Sequence, residues 1–153
     1  MVTRMGGGPA PVEPGGAGFW PLIERGPALT GPALWFSRVT TAGILANVVA
    51  ALISLANTQG VISFLNLDPA QPLVWPRFAA FLLILLSLFY IPAAVNPLTN
   101  RYSAVFSILA RAGGVAFFSI VGGRYIVFGL FDLAFGLPQA ILLAAALRGQ
   151  SSR

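Results

Sequence analysis

Two charged residues lie inside long apolar stretches of the sequence, where a charge is costly. Arg111 falls within the apolar run 103–121, and Asp132 falls within the run 125–147. An unpaired charge at the middle of a bilayer costs at least about 2.5–3.5 kcal/mol, so such residues either pair with one another or mark a functional site. The sequence therefore makes Asp132 and Arg111 the candidate catalytic residues, with a buried ion pair as the structural alternative.

The composition removes most of the side chains that catalysis commonly uses. The chain is 57% hydrophobic and 8% charged, and it contains neither Cys nor His. Thiol chemistry, imidazole bases and His or Cys metal ligands are therefore excluded. Of the acidic residues only Asp132 lies in a long apolar run, so a carboxylate pair or an oxygen-ligand metal site is not expected there. We expect no metal and no cofactor. The scarcity of catalytic side chains favours a protein that is not an enzyme.

The apolar residues are concentrated in four runs, each of roughly 18–23 residues, close to the ~20 that cross a bilayer as a helix. The runs span residues 39–57, 78–95, 103–121 and 125–147. A soluble domain is about a quarter charged, so this chain cannot cover its surface with charge. The sequence predicts an all-α integral membrane protein, an antiparallel bundle of four transmembrane helices.

The segments outside these runs predict the remaining organisation. Residues 1–33 are rich in Gly and Pro and predict a flexible cytoplasmic tail before a helical domain over 34–148, with a short tail at 149–153. The three-residue connection 122–124 requires the third and fourth helices to be antiparallel neighbours. In the longest connection, residues 61–67 are apolar and either extend the first helix or lie at the membrane surface.

The distribution of arginine predicts the orientation. Arg77 and Arg124 would lie on one side of the membrane, and six others would lie on the opposite side: Arg4, Arg25, Arg38, Arg101, Arg148 and Arg153. The positive-inside rule then places both termini in the cytoplasm. The complete absence of Lys favours a GC-rich bacterial genome, hence a bacterial inner membrane. No nucleic-acid partner is expected, because the arginines are single and form no patch.

Helix geometry predicts that Arg111 and Asp132 meet. Counted from the outer helix ends at about 1.5 Å per residue, Arg111 lies roughly 15 Å deep and Asp132 roughly 10 Å deep. An Arg side chain can span this difference between neighbouring antiparallel helices. Pro138 frees the carbonyl of Ala134 and predicts a kink just beyond the pair.

Helical spacing also places small and weakly polar side chains on one face of each run, which is typical of helix-packing faces in membranes. Four of these residues, Asn47, Ser87, Tyr90 and Gln139, are predicted to line a ligand or packing pocket. We expect them to hydrogen-bond with one another if their role is structural.

Three classes of function stay open. The favoured one is a non-catalytic accessory or structural subunit of a membrane complex, in contact with lipid and with other subunits or further copies of itself. The second is a membrane-embedded enzyme of isomerase or cyclase type, with Asp132 as the acid acting on a lipophilic substrate. The third is a small oligomeric transporter or channel. A register-fixing ion pair explains Arg111 and Asp132 with the fewest assumptions.

Overall fold

The computed structural model describes residues 28–151, and over this range every regular element is a helix. In chain order these are α1 (Gly31–Ala56), α2 (Thr58–Phe64), α3 (Val74–Phe89), α4 (Ile91–Val95), α5 (Arg101–Val121) and α6 (Ile126–Ser151). A single 3-10 turn, Gly123–Tyr125, joins α5 to α6. Of the predicted tails, residues 1–27 and 152–153 lie outside the described residues.

Three segments of the described chain are long and apolar enough to cross a membrane: α1, α5, and the segment Gly123–Gln150 that contains most of α6. The predicted second span is different, because it is divided into α3, which is apolar but only 16 residues long, and the short α4. Pro92 lies in the first turn of α4. Since Pro lacks an amide hydrogen and clashes with the preceding turn, the division at Tyr90 has a local cause.

The helix ends also differ from the predicted boundaries. α1 begins at Gly31, ahead of the predicted start at Val39, and α6 continues to Ser151. Asn57 ends α1 and caps α2, because its side-chain oxygen accepts a hydrogen bond of 3.0 Å from the Gly60 amide. The apolar segment after α1 therefore forms a separate short helix. Pro138 lies inside α6, which is assigned as one unbroken helix.

Four helices meet at one end of the bundle, which we call the α4 end. There α1 contacts α4 and α6, and α5 contacts α4 and α6. A buried apolar cluster fills this end, formed by Phe36, Ala93, Ala104 and Leu143. Ser103 Oγ also donates a hydrogen bond of 2.7 Å to the Phe89 carbonyl, joining α5 to the end of α3.

The opposite end, which we call the α2 end, is closed by the loop that follows α2. Arg124, in the 3-10 turn, donates a hydrogen bond to the Asn66 carbonyl. The neighbouring Tyr125 hydroxyl lies 3.4 Å from the Asp68 carboxylate. These contacts tie the loop to the connection between α5 and α6.

The outer surface of the described chain is strongly apolar. Large hydrophobic side chains are exposed on every long helix, for example Leu45 (61%), Phe106 (65%) and Leu137 (54%). Soluble monomers rarely expose contiguous apolar patches of this kind. The surface is suited to hydrocarbon or to the helices of another protein.

Candidate functional site

The predicted ion pair is present at the interface of α5 and α6. Arg111 Nη1 donates a hydrogen bond to Asp132 Oδ1 at 3.1 Å. The Arg111 side chain is 1% exposed, whereas that of Asp132 is 24% exposed. The short turn between the two helices brings residues at similar depths together, so the contact follows from local geometry.

Three glycines, one on each long helix, leave the space that this pair occupies. A Cβ atom on Gly43 of α1 would lie 2.6 Å from Arg111 Nη2, and one on Gly136 of α6 would lie 3.0 Å from Arg111 Cβ. A Cβ atom on Gly114 of α5 would overlap Asp132 Oδ2. The three helix backbones are thus fitted around the ion pair, and any larger residue at these positions would displace it.

Two aromatic rings flank the Arg111 guanidinium. Its Cζ atom lies 5.0 Å from the ring centre of Phe135 and 5.8 Å from that of Tyr90. Nε and Nη2 of Arg111 are buried without a hydrogen-bond partner among the described residues. The rings supply favourable cation–π contacts in place of those hydrogen bonds. Phe135 is not among the site residues predicted from the sequence, although it lies one helical turn from Asp132.

The four residues predicted to hydrogen-bond with one another do not do so. Gln139 Nε2 instead donates a buried hydrogen bond of 2.9 Å to Thr40 Oγ1 of α1. Ser87 Oγ donates to the Leu83 carbonyl of its own helix at 2.8 Å. Asn47 is 3% exposed, and its side chain has no hydrogen bond to any described residue. Helical spacing identifies the buried face of each helix but not the depth at which two faces meet, which is why Gln139 and Ser87 have other partners than those expected.

The same residues do not share one pocket either. A cavity of about 590 Å³ lies at the α2 end, and Asn47 and Asp132 are among its lining residues. The rest of the lining comes from α1, α2 and the loop after it, α3, α5 and α6. Tyr90 lines a second cavity of about 420 Å³ beside α5, with Phe89 and Phe106 among its neighbours. Ser87 and Gln139 line neither of these cavities.

The walls of the larger cavity are mainly apolar. They include Leu83 of α3, Phe118 of α5 and Phe131 of α6. Within the described range, no group of three or more His, Cys, Asp or Glu residues is placed to hold a metal ion. The arrangement offers a mainly hydrocarbon-lined space whose polar lining residues are Asn47, Ser54, Thr58, Asp68, Tyr125 and Asp132.

No protein-family model, curated protein or solved structure matches this chain. The fold and site therefore define a class: an all-helical protein, over its described residues, with three helices able by length and composition to cross a membrane and with an ion pair between two of them.

Proposed function

We propose that this chain is a bacterial inner-membrane protein that acts as a non-catalytic structural subunit, with a helix of another subunit bound against α5. The observation that carries the proposal is the environment of Gly113. A Cβ atom on Gly113 would meet nothing within 4 Å, whereas one on its neighbour Gly114 would overlap Asp132. Gly113 therefore serves no packing contact within the described chain.

The surroundings of Gly113 fit a helix-packing face. Leu109, Gly113, Ala116 and Ile120 are spaced by four, three and four residues, so they form one exposed stripe on α5. A glycine within a helix costs up to about 1 kcal/mol relative to Ala, but small residues allow two membrane helices to approach closely. A partner helix on this stripe gives Gly113 the role that it lacks in the isolated chain.

The ion pair supports a structural role. Arg111 and Asp132 are engaged with each other, and glycines from three helices are fitted around them. Such a pair holds α5 and α6 in one register. Sliding either helix by one turn would separate the two charges and would move their side chains away from the space that the glycines leave.

Arginine placement supports the orientation that we propose. Among described residues, Arg38, Arg101 and Arg148 lie towards the α4 end, whereas Arg77 and Arg124 lie towards the α2 end. The positive-inside rule places the α4 end in the cytoplasm. The larger cavity then lies in the outer half of the membrane.

Site-specific photo-crosslinking in native membranes tests the proposal. A diazirine analogue of leucine would replace Leu109 in one variant and Ile120 in another, with Leu45 of α1 as the exposed control position. We expect a protein adduct of one defined mass from the two α5 positions, and its loss when Gly113→Leu is added. A doubled mass would identify a second copy of this chain as the partner.

Two outcomes would contradict the proposal. One is an exclusive yield of lipid adducts at both α5 positions. The other is a protein adduct that persists unchanged with Gly113→Leu. Because Gly113 is exposed, this variant should keep the thermal stability of the purified chain, which separates loss of the partner from loss of the fold.

A further inference from the structure

We infer that the cavity at the α2 end binds a neutral lipophilic molecule with a hydroxyl head group, held by Asp132 and Asn47. The cavity lies among α1, α2, α3 and α6, and its one lining residue from α5, Phe118, is not part of the exposed stripe on that helix. Ligand binding in the cavity therefore does not depend on the partner helix. A negative result for the ligand would leave the proposed partner helix unaffected.

The size and walls of the cavity define the body of the ligand. Its volume of about 590 Å³ lies within the range of pockets that hold small organic ligands. Most of the lining is aliphatic or aromatic, including Leu83, Phe128 and Phe131. Because these groups offer no polar contact, the body of the ligand must be a hydrocarbon.

Asn47 supplies the first polar contact. It lines the cavity, it is 3% exposed, and its side chain has no hydrogen bond to any described residue. Although the residue as a whole is buried, its amide atoms keep some accessible surface, so they are open to a partner in the cavity. The amide can donate through its nitrogen to an oxygen atom of a ligand.

Asp132 supplies the second contact and restricts the charge of the ligand. Its Oδ1 atom accepts a hydrogen bond from Arg111, but its Oδ2 atom has no donor among the described residues. The carboxylate also lines the cavity. A hydroxyl group can donate one hydrogen bond and accept others, so a single hydroxyl can donate to Asp132 and accept from Asn47.

Charged head groups fit this site less well. An anionic head would meet the carboxylates of Asp132 and Asp68, which both line the cavity. Arg111 already balances the charge of Asp132. Asp68, the other lining carboxylate, is exposed and lies beside the Tyr125 hydroxyl, so the buried part of the site offers no unbalanced charge to an ionised head group. A long-chain alcohol therefore matches the site better than a fatty acid or an alkylamine.

Photolabelling with a matched pair of probes tests the inference. The probes are dodecanol carrying a diazirine in its chain and the methyl ether of the same compound, which keeps the oxygen acceptor but lacks the donor. Purified full-length protein in lipid nanodiscs would be labelled with each probe, and mass spectrometry would locate the adducts. We expect the alcohol to label peptides that contain Leu83 and Phe131, and the ether to label them much less.

Variants then assign the contacts. Asn47→Ala should weaken labelling by about fivefold, the effect of losing one hydrogen bond. Ala80→Phe should abolish it by filling the cavity, because Ala80 lines the wall and is 7% exposed. Ala144→Phe, an exposed position on α6 that does not line the cavity, is the matched control and should label as the unmodified protein does.

Equal labelling by alcohol and ether would overturn the inference, since it would show that a hydrocarbon chain alone occupies the space. Labelling of the same peptides that persists in a folded Ala80→Phe protein would also overturn it. If Ala80→Phe does not fold, judged by its thermal transition in nanodiscs, Ala80→Leu takes its place with the same expectation.

Discussion

The Asp132 carboxylate occupies the space that a side chain on Gly114 would need. Gly114 is on α5 and Asp132 is on α6, so the absent side chain of one helix accommodates the charged group of the other. Arg111, one turn before Gly114 on α5, then reaches the same carboxylate at 3.1 Å. The glycine and the ion pair are thus parts of one contact, and neither can be changed without affecting the other.

The first prediction compares two adjacent glycines. We expect Gly114→Ala to destabilise the protein by about 1–3 kcal/mol, the usual cost of overpacking, because the new methyl group must push Asp132 away from Arg111. Gly113→Ala is the control, and it should leave the isolated chain no less stable, because its Cβ meets open space. Thermal unfolding of both variants in the same detergent measures the difference. Equal losses would show that α5 is rotated relative to the structure described here.

The second prediction concerns the two charges. Asp132→Asn should destabilise the protein by about 3–5 kcal/mol, because it leaves the buried Arg111 without its charged partner. The double variant Arg111→Met with Asp132→Leu should recover much of this loss, because it removes both charges and keeps apolar volume. Denaturant-induced unfolding of the single and double variants provides the comparison.

The reversed pair, Arg111→Asp with Asp132→Arg, should not recover stability. Gly43 and Gly136 leave room for a long side chain at position 111, and only the short Asp132 side chain fits against Gly114. If the reversed pair recovered full stability, charge attraction alone would explain the contact. The fit of the glycines to these two side chains would then be contradicted.

The third prediction concerns the hydrogen bond between Gln139 and Thr40, which joins α6 to α1. Thr40→Val and Gln139→Leu should each cost about 1–3 kcal/mol, because each leaves a buried polar group without its partner. The double variant should cost less than the sum of the two. A double-mutant cycle on unfolding free energies measures the coupling, and strictly additive losses would show that the two side chains do not interact.

The fourth prediction concerns orientation, and the absence of native Cys makes it simple to test. A membrane-impermeant maleimide should label Gln71→Cys, near the α2 end, in intact spheroplasts. It should label Gln150→Cys, near the α4 end, only after the membrane is opened. The opposite pattern would place the α4 end outside and would reverse the proposed orientation.

The Arg111–Asp132 contact could be predicted from sequence because it depends on local quantities. The rise of an α-helix and the short connection between α5 and α6 set the depth of both residues, and the cost of an isolated charge makes pairing the expected result. The division at Tyr90 also had a visible cause in Pro92. By contrast, nothing in the spacing alone indicated that Gln139 pairs with Thr40 rather than with Ser87.

The sequence by itself determined where apolar helices form and which of their faces carry polar and small residues, because backbone hydrogen bonding and hydropathy act within each segment. Only the tertiary structure decided which faces meet and at what depth. Gly113 and Gly114 show the difference, because a Cβ on Gly113 would meet open space and one on the adjacent Gly114 would meet the partly buried Asp132 carboxylate. The rotation of α5 that separates them is set by its packing against α6. The cavity beside Asp132 likewise exists only in the folded chain, because its walls come from helices that are distant in the sequence.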